Sequence, residues 1–203
     1  MNLSFIDYPK SIGSDFYEET KNKIVLNLTE DESILAIYQI GHVKSPGISD
    51  LDLLVIFKNN EFVLSNPRAL LSNKEKYIVS HNLFGVSEKN FTVMQNYSFF
   101  HNYKHLWGKK YQVGSSLKSK DQEQLKKQIA LEYLLQMFCV FNVQMQYKII
   151  NVRGLLLHVN ALKYDLEFLK CDSGEILELV NEIINWRSPV SYTHLTLPTK
   201  RIV

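Results

Sequence analysis

Few residues interrupt regular structure in this chain, which has eight glycines and five prolines among its 203 residues. That is about half the usual share of these two residues, so most of the chain should lie in helices and strands. Apolar residues make up 45% of the sequence. This content is enough for one sizeable core or two small ones, and it excludes disorder and a collagen-like repeat.

Signals for membranes and secretion are also missing. No apolar run approaches the roughly 18 residues that a membrane span needs, and the start, MNLSFIDYPK, lacks the basic-then-apolar order of a signal peptide. We therefore expect a soluble, cytoplasmic protein without a membrane partner. In such a protein the two cysteines, Cys139 and Cys171, are predicted to be buried small hydrophobes rather than a disulfide or a metal pair.

The end of the chain differs in character from the rest. Residues 190–199 read VSYTHLTLPT, which has no apolar period and resembles one reading frame of a transposase adaptor used in sequencing libraries. We therefore expect residues 189–203 to be a non-native, adaptor-derived tail, and the natural gene to be cut off near Ser188. Without Lys200 and Arg201 the chain has 21 basic and 21 acidic residues, so bulk charge gives no support for a nucleic-acid partner.

The first half of the chain alternates between helical and strand patterns. A helix is predicted from Asp15 to Leu28 and a buried strand from Ile34 to Val43. A loop at KSPGIS precedes a second strand in DLDLLVIFK. This half is also predicted to contain a short helix at 67–76 and further strands at YIVSHNLFGV and NFTVMQNY.

The second half reads as helices. Residues 121–149 contain no Gly or Pro and are rich in helix formers, so one long helix is predicted, and apolar residues on more than one of its faces indicate central packing among other helices. Further helices are predicted at 152–169 and at 173–186, the latter capped by Ser173. The polar segment GSSLKSK at 114–120 is the best domain boundary, which divides the chain into 1–117, 118–188 and the tail.

The residues that carry chemistry cluster between the first two predicted strands. Residues two apart on a strand share a face, so Asp50 and Asp52 should place two carboxylates side by side. Such a pair repels unless a divalent cation neutralises it, and hard oxygen ligands suit Mg²⁺. Gly41 ends the preceding strand and allows backbone amides to approach a phosphate, while Ser49 adds a hydroxyl. The alternative is an ordinary amphipathic edge strand with its acids in solvent.

These residues resemble the signature of the polymerase-beta-like nucleotidyltransferases: an apolar residue, Gly-[Gly/Ser], a spacer, then Asp-apolar-[Asp/Glu]-apolar. Here Ile40-Gly41-His42 is followed after seven residues by Asp50-Leu51-Asp52-Leu53. The resemblance covers residues 34–58. It implies a small mixed β-sheet flanked by helices, with a helical bundle region after it, within an α+β fold. It also implies that Asp50 and Asp52 hold catalytic Mg²⁺, that Gly41 cradles the nucleotide phosphates, and that Ser49 lines the loop.

Two departures from the family pattern stand out. His42 occupies a position where the family usually has Ser or Gly, although an imidazole can also donate to phosphate and bind the nucleotide. The family normally supplies a third carboxylate from a later strand, and neither YIVSHNLFGV nor NFTVMQNY contains one. Glu61 and Glu88 are the nearest acids in sequence and read as exposed turn residues. Asn82 is a candidate neutral substitute, and His81 is either a base or a structural histidine.

Other signals are weaker. His101 and His105 have a helical spacing suited to a metal, but they lack nearby cysteines or acids, so this stretch, which includes Trp107, is predicted to be a loop or a helix surface. The resemblance thus implies a Mg²⁺-dependent enzyme that transfers a nucleoside monophosphate from an NTP to a hydroxyl of a small molecule or protein. The rival interpretation is an inactive nucleotidyltransferase-like protein that lacks the third acid and binds a nucleotide or a partner.

Overall fold

A computed structural model describes residues 3–59, 66–96, 102–114, 119–171 and 174–187. The expectations for the tail at 189–203, and those for Glu61, His101 and Ser173, lie outside these residues. Within them the chain forms β1 (Ser4–Ile6), α1 (Ser14–Leu28), β2 (Ile34–Ile40), β3 (Asp52–Phe57), a 3₁₀ turn (Pro67–Leu70), α2 (Asn73–Ile78), β4 (Phe84–Ser87), α3 (Glu88–Met94), β5 (Lys104–Gly108), α4 (Ser119–Tyr147), β6 (Ile149–Asn151), α5 (Val152–Phe168) and α6 (Gly174–Arg187).

The chain divides into two compact units, and α4 runs from one into the other. Among the described residues, those between 12 and 135 make up one unit, and those between 3 and 11 together with those between 136 and 187 make up the second. The α+β class predicted from the sequence is confirmed, with a mixed four-stranded sheet and six helices among the described residues.

The sheet of the first unit has the strand order β4-β3-β2-β5. β2 pairs antiparallel with both β3 and β5, and β3 pairs parallel with β4. Alternate residues of the two central strands face opposite sides, as the pleat requires. Leu53 and Val55 contribute to a core that also contains residues of α1 and α2. Leu54 and Ile56 face the other side and pack in a cluster with Phe91 of α3.

α1 and α2 are joined by a charged contact. Glu75 and Ser72 form a reciprocal capping box at the start of α2, and Lys23 of α1 donates to Glu75 Oε1 over 2.8 Å. The hydrogen bond from Lys23 and the capping contacts lower the pKa of Glu75 to about 2. A carboxyl whose pKa is lowered on folding stabilises the fold when the pH is above its pKa in the unfolded chain. That contribution is lost as the pH falls toward its pKa in the folded protein.

Glu75→Gln should therefore lower the free energy of unfolding by about 1 kcal/mol near neutral pH, because the amide keeps the cap but loses the charged bond. The difference from the wild type should shrink as the pH falls from about 5 toward 2, which urea titrations at several pH values would measure. Glu19→Gln, on the exposed surface of α1, is the matched control. A difference that stays constant over this pH range would contradict the assignment.

The second unit contains a two-stranded parallel sheet of β1 and β6 and the helices α5 and α6. Asn151 caps α5, since its Oδ1 accepts from Gly154 N–H over 2.6 Å. Buried apolar side chains in this unit include Met137, Leu156 and Val180. Neither short strand was predicted from the sequence, because three residues offer too little alternation to detect.

Three local predictions were wrong. The segment NFTVMQNY is mainly α3 rather than a strand: Phe91 is buried against the sheet, and its β-branched neighbour Val93 is exposed, which fits helical and not alternating geometry. Only the end of YIVSHNLFGV is a strand, because Tyr77 and Ile78 close α2. The segment around Trp107, predicted to be a loop or helix surface, is the edge strand β5.

Two predictions of burial were also wrong. Cys139 and Cys171 are free and exposed rather than buried. The long helix is present as α4, but large apolar side chains on it are exposed, which does not agree with central packing. These side chains are Leu131, Leu135, Phe138, Val140, Val143, Met145 and Tyr147. Helical periodicity shows which positions are apolar, but it does not show whether another element covers them.

Candidate functional site

The site lies where β2 ends and β3 begins. The antiparallel register places Ile40 opposite Asp52, so Gly41, the residue after Ile40, lies next to the start of β3. Asp52 is two residues before Leu54, and the strand pleat puts its side chain on the face of the sheet that packs against α3. Asp50 lies just before β3. The structure therefore brings together the glycine and the carboxylates that were singled out from the sequence.

A histidine side chain lies close to the two carboxylates. One ligand atom from each of Asp50, Asp52 and His81 lies within 4.8 Å of the others. His81 Nε2 is 2.7 Å from Asp52 Oδ1, and the hydroxyl of Ser80 donates to Asp50 Oδ2 over 3.0 Å. Two consecutive residues thus each contact one carboxylate. In the described part of the chain, this metal-competent group contains no third carboxylate.

Electrostatics in this group follow from burial and proximity. Burial raises the pKa of Asp50, and the neighbouring charge of Asp52 raises it further, while the hydrogen bond from Ser80 acts in the opposite direction. The hydrogen bond to Asp52 raises the pKa of His81 to about 9 against the opposing effect of burial. A cation next to Asp50 is therefore favoured, because it relieves the repulsion between the two carboxylates.

Gly41 adopts a backbone conformation that side chains disfavour. Its φ is +69°, in the left-handed region that glycine enters without cost. A Cβ built on Gly41 would lie 4.0 Å from Asp52 Oδ2. The space beside the Gly41 backbone therefore opens toward the Asp52 carboxylate. His42 follows with an exposed side chain, and its carbonyl accepts from Lys44 N–H over 3.0 Å.

Two buried tyrosines hold the loop between β2 and β3. The hydroxyl of Tyr17 donates to the Ser49 carbonyl over 2.7 Å and accepts from Gly47 N–H over 3.0 Å. Tyr77 donates to the Gly47 carbonyl over 2.6 Å. Ser49 is buried, and its Oγ accepts from Ser45 N–H over 3.1 Å. These bonds fix the loop, so the Ser49 side chain serves its internal structure.

Two of the remaining candidates, Glu88 and His105, are not among the described residues whose ligand atoms converge at the carboxylate pair. Glu88 begins α3 and accepts from Lys109 and Tyr111. His105 lies on β5, where its Nε2 is 3.0 Å from the Gly108 carbonyl oxygen. Asn82 is exposed, and its carbonyl oxygen is 2.6 Å from His81 Nδ1.

Sequence reasoning considered His81 only as a base or as a structural residue. Its place beside Asp52 follows from the parallel pairing of β3 with β4, in which Leu54 lies opposite Phe84. Extending that register backwards puts residue 82 next to Asp52. The available signal was the pair of polar residues Ser80 and His81 before an apolar strand, but its meaning depends on a strand pairing that local patterns do not specify.

The donor set suits a divalent metal ion. Carboxylate oxygens favour hard cations, and an imidazole nitrogen is a good ligand for first-row transition metals. Two oxygens and one nitrogen on separate side chains, close enough to converge on one ion, are consistent with such a site.

Comparisons with known proteins give limited results. No family model matches the chain, and no curated protein matches it. A solved structure of tri-AMPylated Shewanella oneidensis HEPN toxin in complex with MNT antitoxin is 21% identical, covers 64% of this chain and 98% of that chain, and has a TM-score of 0.29. A structure of the toxin–antitoxin MntA-HepT is 21% identical, with 63% and 98% covered and a TM-score of 0.28.

These similarities, at such low TM-scores, do not establish an activity. Among the helices of the described residues, none is long and apolar enough to cross a membrane.

Proposed function

We propose that this protein is a divalent-metal-dependent nucleotidyltransferase that transfers a nucleoside monophosphate from an NTP to a hydroxyl of a small molecule or protein. One observation carries the proposal: the left-handed Gly41 lies beside the carboxylate of Asp52, which converges with that of Asp50. A backbone free of side chain, placed next to a metal-binding pair, is an arrangement that can receive a metal-bound phosphate. The sequence signature at these residues points to the same chemistry.

Asp50 and Asp52 would hold the metal ion, which is Mg²⁺ in the family that the sequence resembles. When bound, the ion supplies neutralisation of the phosphate charge and of the carboxylate repulsion. The backbone beside Gly41 would approach the phosphates, and the exposed imidazole of His42 would donate to them. Ser49 contributes from inside the loop by holding Ser45. The bonds from Tyr17 and Tyr77 keep this loop ordered before the nucleotide arrives.

In the proposed reaction the acceptor hydroxyl oxygen bonds to the α-phosphorus, and the bond from that phosphorus to the bridging oxygen breaks. Pyrophosphate leaves with the electron pair, and the hydroxyl proton passes to a base. Among the described residues, Asp50, Asp52 and His81 are titratable groups whose ligand atoms converge within 4.8 Å at this site. Catalysis would rest mainly on positioning and charge neutralisation, as is usual in phosphoryl transfer.

A second candidate function is binding without turnover. The observation in its favour is that the metal-competent group in the described residues has an imidazole where a third carboxylate is expected. A site without that carboxylate has less charge to hold a second ion and no free carboxylate base. The protein would then bind a nucleotide, or a partner through its helices, and release no pyrophosphate.

The assay that tests the proposal measures transfer of an α-labelled nucleotide and release of pyrophosphate, with each NTP in turn, in Mg²⁺ and in Mn²⁺. The acceptors are a panel of small-molecule alcohols and proteins. Stoichiometric pyrophosphate and labelled acceptor are expected from the wild type. Metal-dependent nucleotide binding without pyrophosphate would favour the second candidate, and no binding of any NTP would contradict both.

A further inference from the structure

The position of His81 is set by the sheet and not by the loop that carries the carboxylates. β4 starts at Phe84 and runs parallel to β3, which brings residues 80–82 to the end of the sheet where Asp52 lies. The ring of His81 also packs on Phe84, with 4.9 Å between the ring centroids. The imidazole is therefore held beside the carboxylates by a strand pairing and an aromatic contact.

The orientation of the ring is determined by its two nitrogens. Nδ1 is 2.6 Å from the carbonyl oxygen of Asn82, and a carbonyl can only accept, so Nδ1 carries a proton. Asp52 Oδ1 also only accepts, so Nε2, which lies 2.7 Å from it, carries a proton as well. Because Nδ1 keeps its proton for the Asn82 carbonyl, a metal ion that displaces the Nε2 proton would meet the lone pair of that nitrogen. Histidines that bind metals commonly donate their other N–H to a backbone carbonyl in this way.

We propose that His81 Nε2 is the third ligand of the ion held by Asp50 and Asp52, and that this nitrogen makes the site prefer Mn²⁺ over Mg²⁺. The inference rests on the proposed function, since it names the ion and a further ligand of the same site. Mg²⁺ demands oxygen ligands in a strict octahedron, whereas first-row transition metals accept imidazole nitrogen readily. Replacing a carboxylate by an imidazole should therefore reduce the affinity for Mg²⁺ more than the affinity for Mn²⁺.

A purely structural role for His81 makes a different prediction. In that case the ring only orients Asp52 through the hydrogen bond at 2.7 Å, and the bound ion has oxygen ligands alone. Removal of the ring would then reduce the affinities for Mn²⁺ and Mg²⁺ by a similar factor. The two roles are separated by whether a nitrogen is bonded to the ion, which a spectroscopic measurement on the loaded protein reports directly.

The experiment uses the full chain and Mn²⁺ as the probe. Loss of the free Mn²⁺ signal in electron paramagnetic resonance gives its Kd, and competition gives the Kd of Mg²⁺. Pulsed measurements on the loaded protein detect hyperfine coupling to a directly bound imidazole nitrogen. We expect that coupling in the wild type, with Mn²⁺ bound at least about tenfold more tightly than Mg²⁺.

His81→Asp should abolish the nitrogen coupling, because it restores an all-oxygen ligand set. It should also reduce the preference for Mn²⁺, measured as the Kd of Mg²⁺ divided by the Kd of Mn²⁺, about tenfold. His158→Gln, a substitution on α5 in the second unit, is the matched control and should leave both readouts unchanged. Thermal unfolding of each variant without metal confirms that it is folded.

The outcomes separate this inference from the proposed function. Mn²⁺ binding that requires Asp50 and Asp52 but shows no nitrogen coupling would overturn the role of His81 and leave the carboxylate site intact. The same holds for an unchanged metal preference in His81→Asp. A wild-type protein that binds neither ion would overturn the inference and the metal dependence of the proposed function together.

Discussion

Asp50→Asn and Asp52→Asn are each expected to reduce metal affinity by about a hundredfold or more, and with it metal-dependent NTP binding and transfer. Each substitution removes one of two charged ligands from a group whose atoms converge within 4.8 Å, and a neutral amide is a much weaker ligand for a divalent cation. Titration with Mn²⁺ followed by NTP, and the transfer assay, measure the two losses.

The two variants should differ in stability. Burial and the charge of Asp52 raise the pKa of Asp50, so the ionised group opposes folding once the pH exceeds its ordinary value of 3.8. Asp50→Asn should therefore be as stable as the wild type or more stable at neutral pH, an advantage that disappears in acid. Asp52→Asn also relieves the repulsion, but it loses the charged contact with His81 at 2.7 Å, so its net gain in stability should be smaller.

Asp121→Asn, in the exposed first turn of α4, is the matched control for loss of one carboxylate. It should leave metal binding, NTP binding and transfer at wild-type levels. Metal affinity that is unchanged in both Asp50→Asn and Asp52→Asn would remove the basis of the proposed site. A clear loss of stability in Asp50→Asn would contradict the electrostatic account of the pair.

Elements whose identity depends on local pattern could be predicted from the sequence. α1 and α5 begin and end within about two residues of their predicted limits, because a long amphipathic period and few glycines or prolines determine a helix locally. The central strands β2 and β3 were also predicted, since short β-rich apolar runs bounded by turn residues indicate buried strands.

Edges and short elements were not predictable in the same way. β5 has exposed and half-exposed residues and is a strand because β2 offers it a partner, with Gly108 allowing close approach: a Cβ there would lie 2.2 Å from the Leu35 carbonyl oxygen. Likewise the helix α3 packs its Phe91 in a buried cluster with residues of β2 and β3, and this contact favours the helix. Both depend on tertiary contacts that override weak local propensity.

The candidate site shows the same division. The carboxylates and Gly41 come from two strands joined by one loop, so spacing along the chain is enough to place them together. Ser80 and His81 precede a third strand, β4, whose pairing with β3 is long-range. Their contacts with Asp50 and Asp52 therefore needed the structure. The sequence showed no Asp or Glu in the segments YIVSHNLFGV and NFTVMQNY, whereas it did not show that His81 lies beside Asp52.

Gly41→Val is expected to weaken NTP binding about tenfold or more while leaving the affinity for Mn²⁺ close to that of the wild type. The left-handed φ of +69° costs a residue with a side chain about 1–2 kcal/mol, so some loss of stability accompanies the change. The Cβ itself has room, at 4.0 Å from Asp52 Oδ2, so the fold should persist. The two additional methyl groups would fill the space through which a phosphate approaches the backbone.

Gly41→Asn and Gly13→Val separate the two effects in Gly41→Val. Asn tolerates the left-handed conformation better than Val, so Gly41→Asn should recover most of the stability while still obstructing the phosphate. Gly13→Val adds the same side chain at an ordinary φ of −74° in open space, and it should leave NTP binding unchanged. Calorimetric titration with NTP in the presence of Mn²⁺ distinguishes the variants. If Gly41→Val and Gly41→Asn bind NTP as the wild type does, Gly41 only ends a strand, and the phosphate must approach the carboxylates from another side.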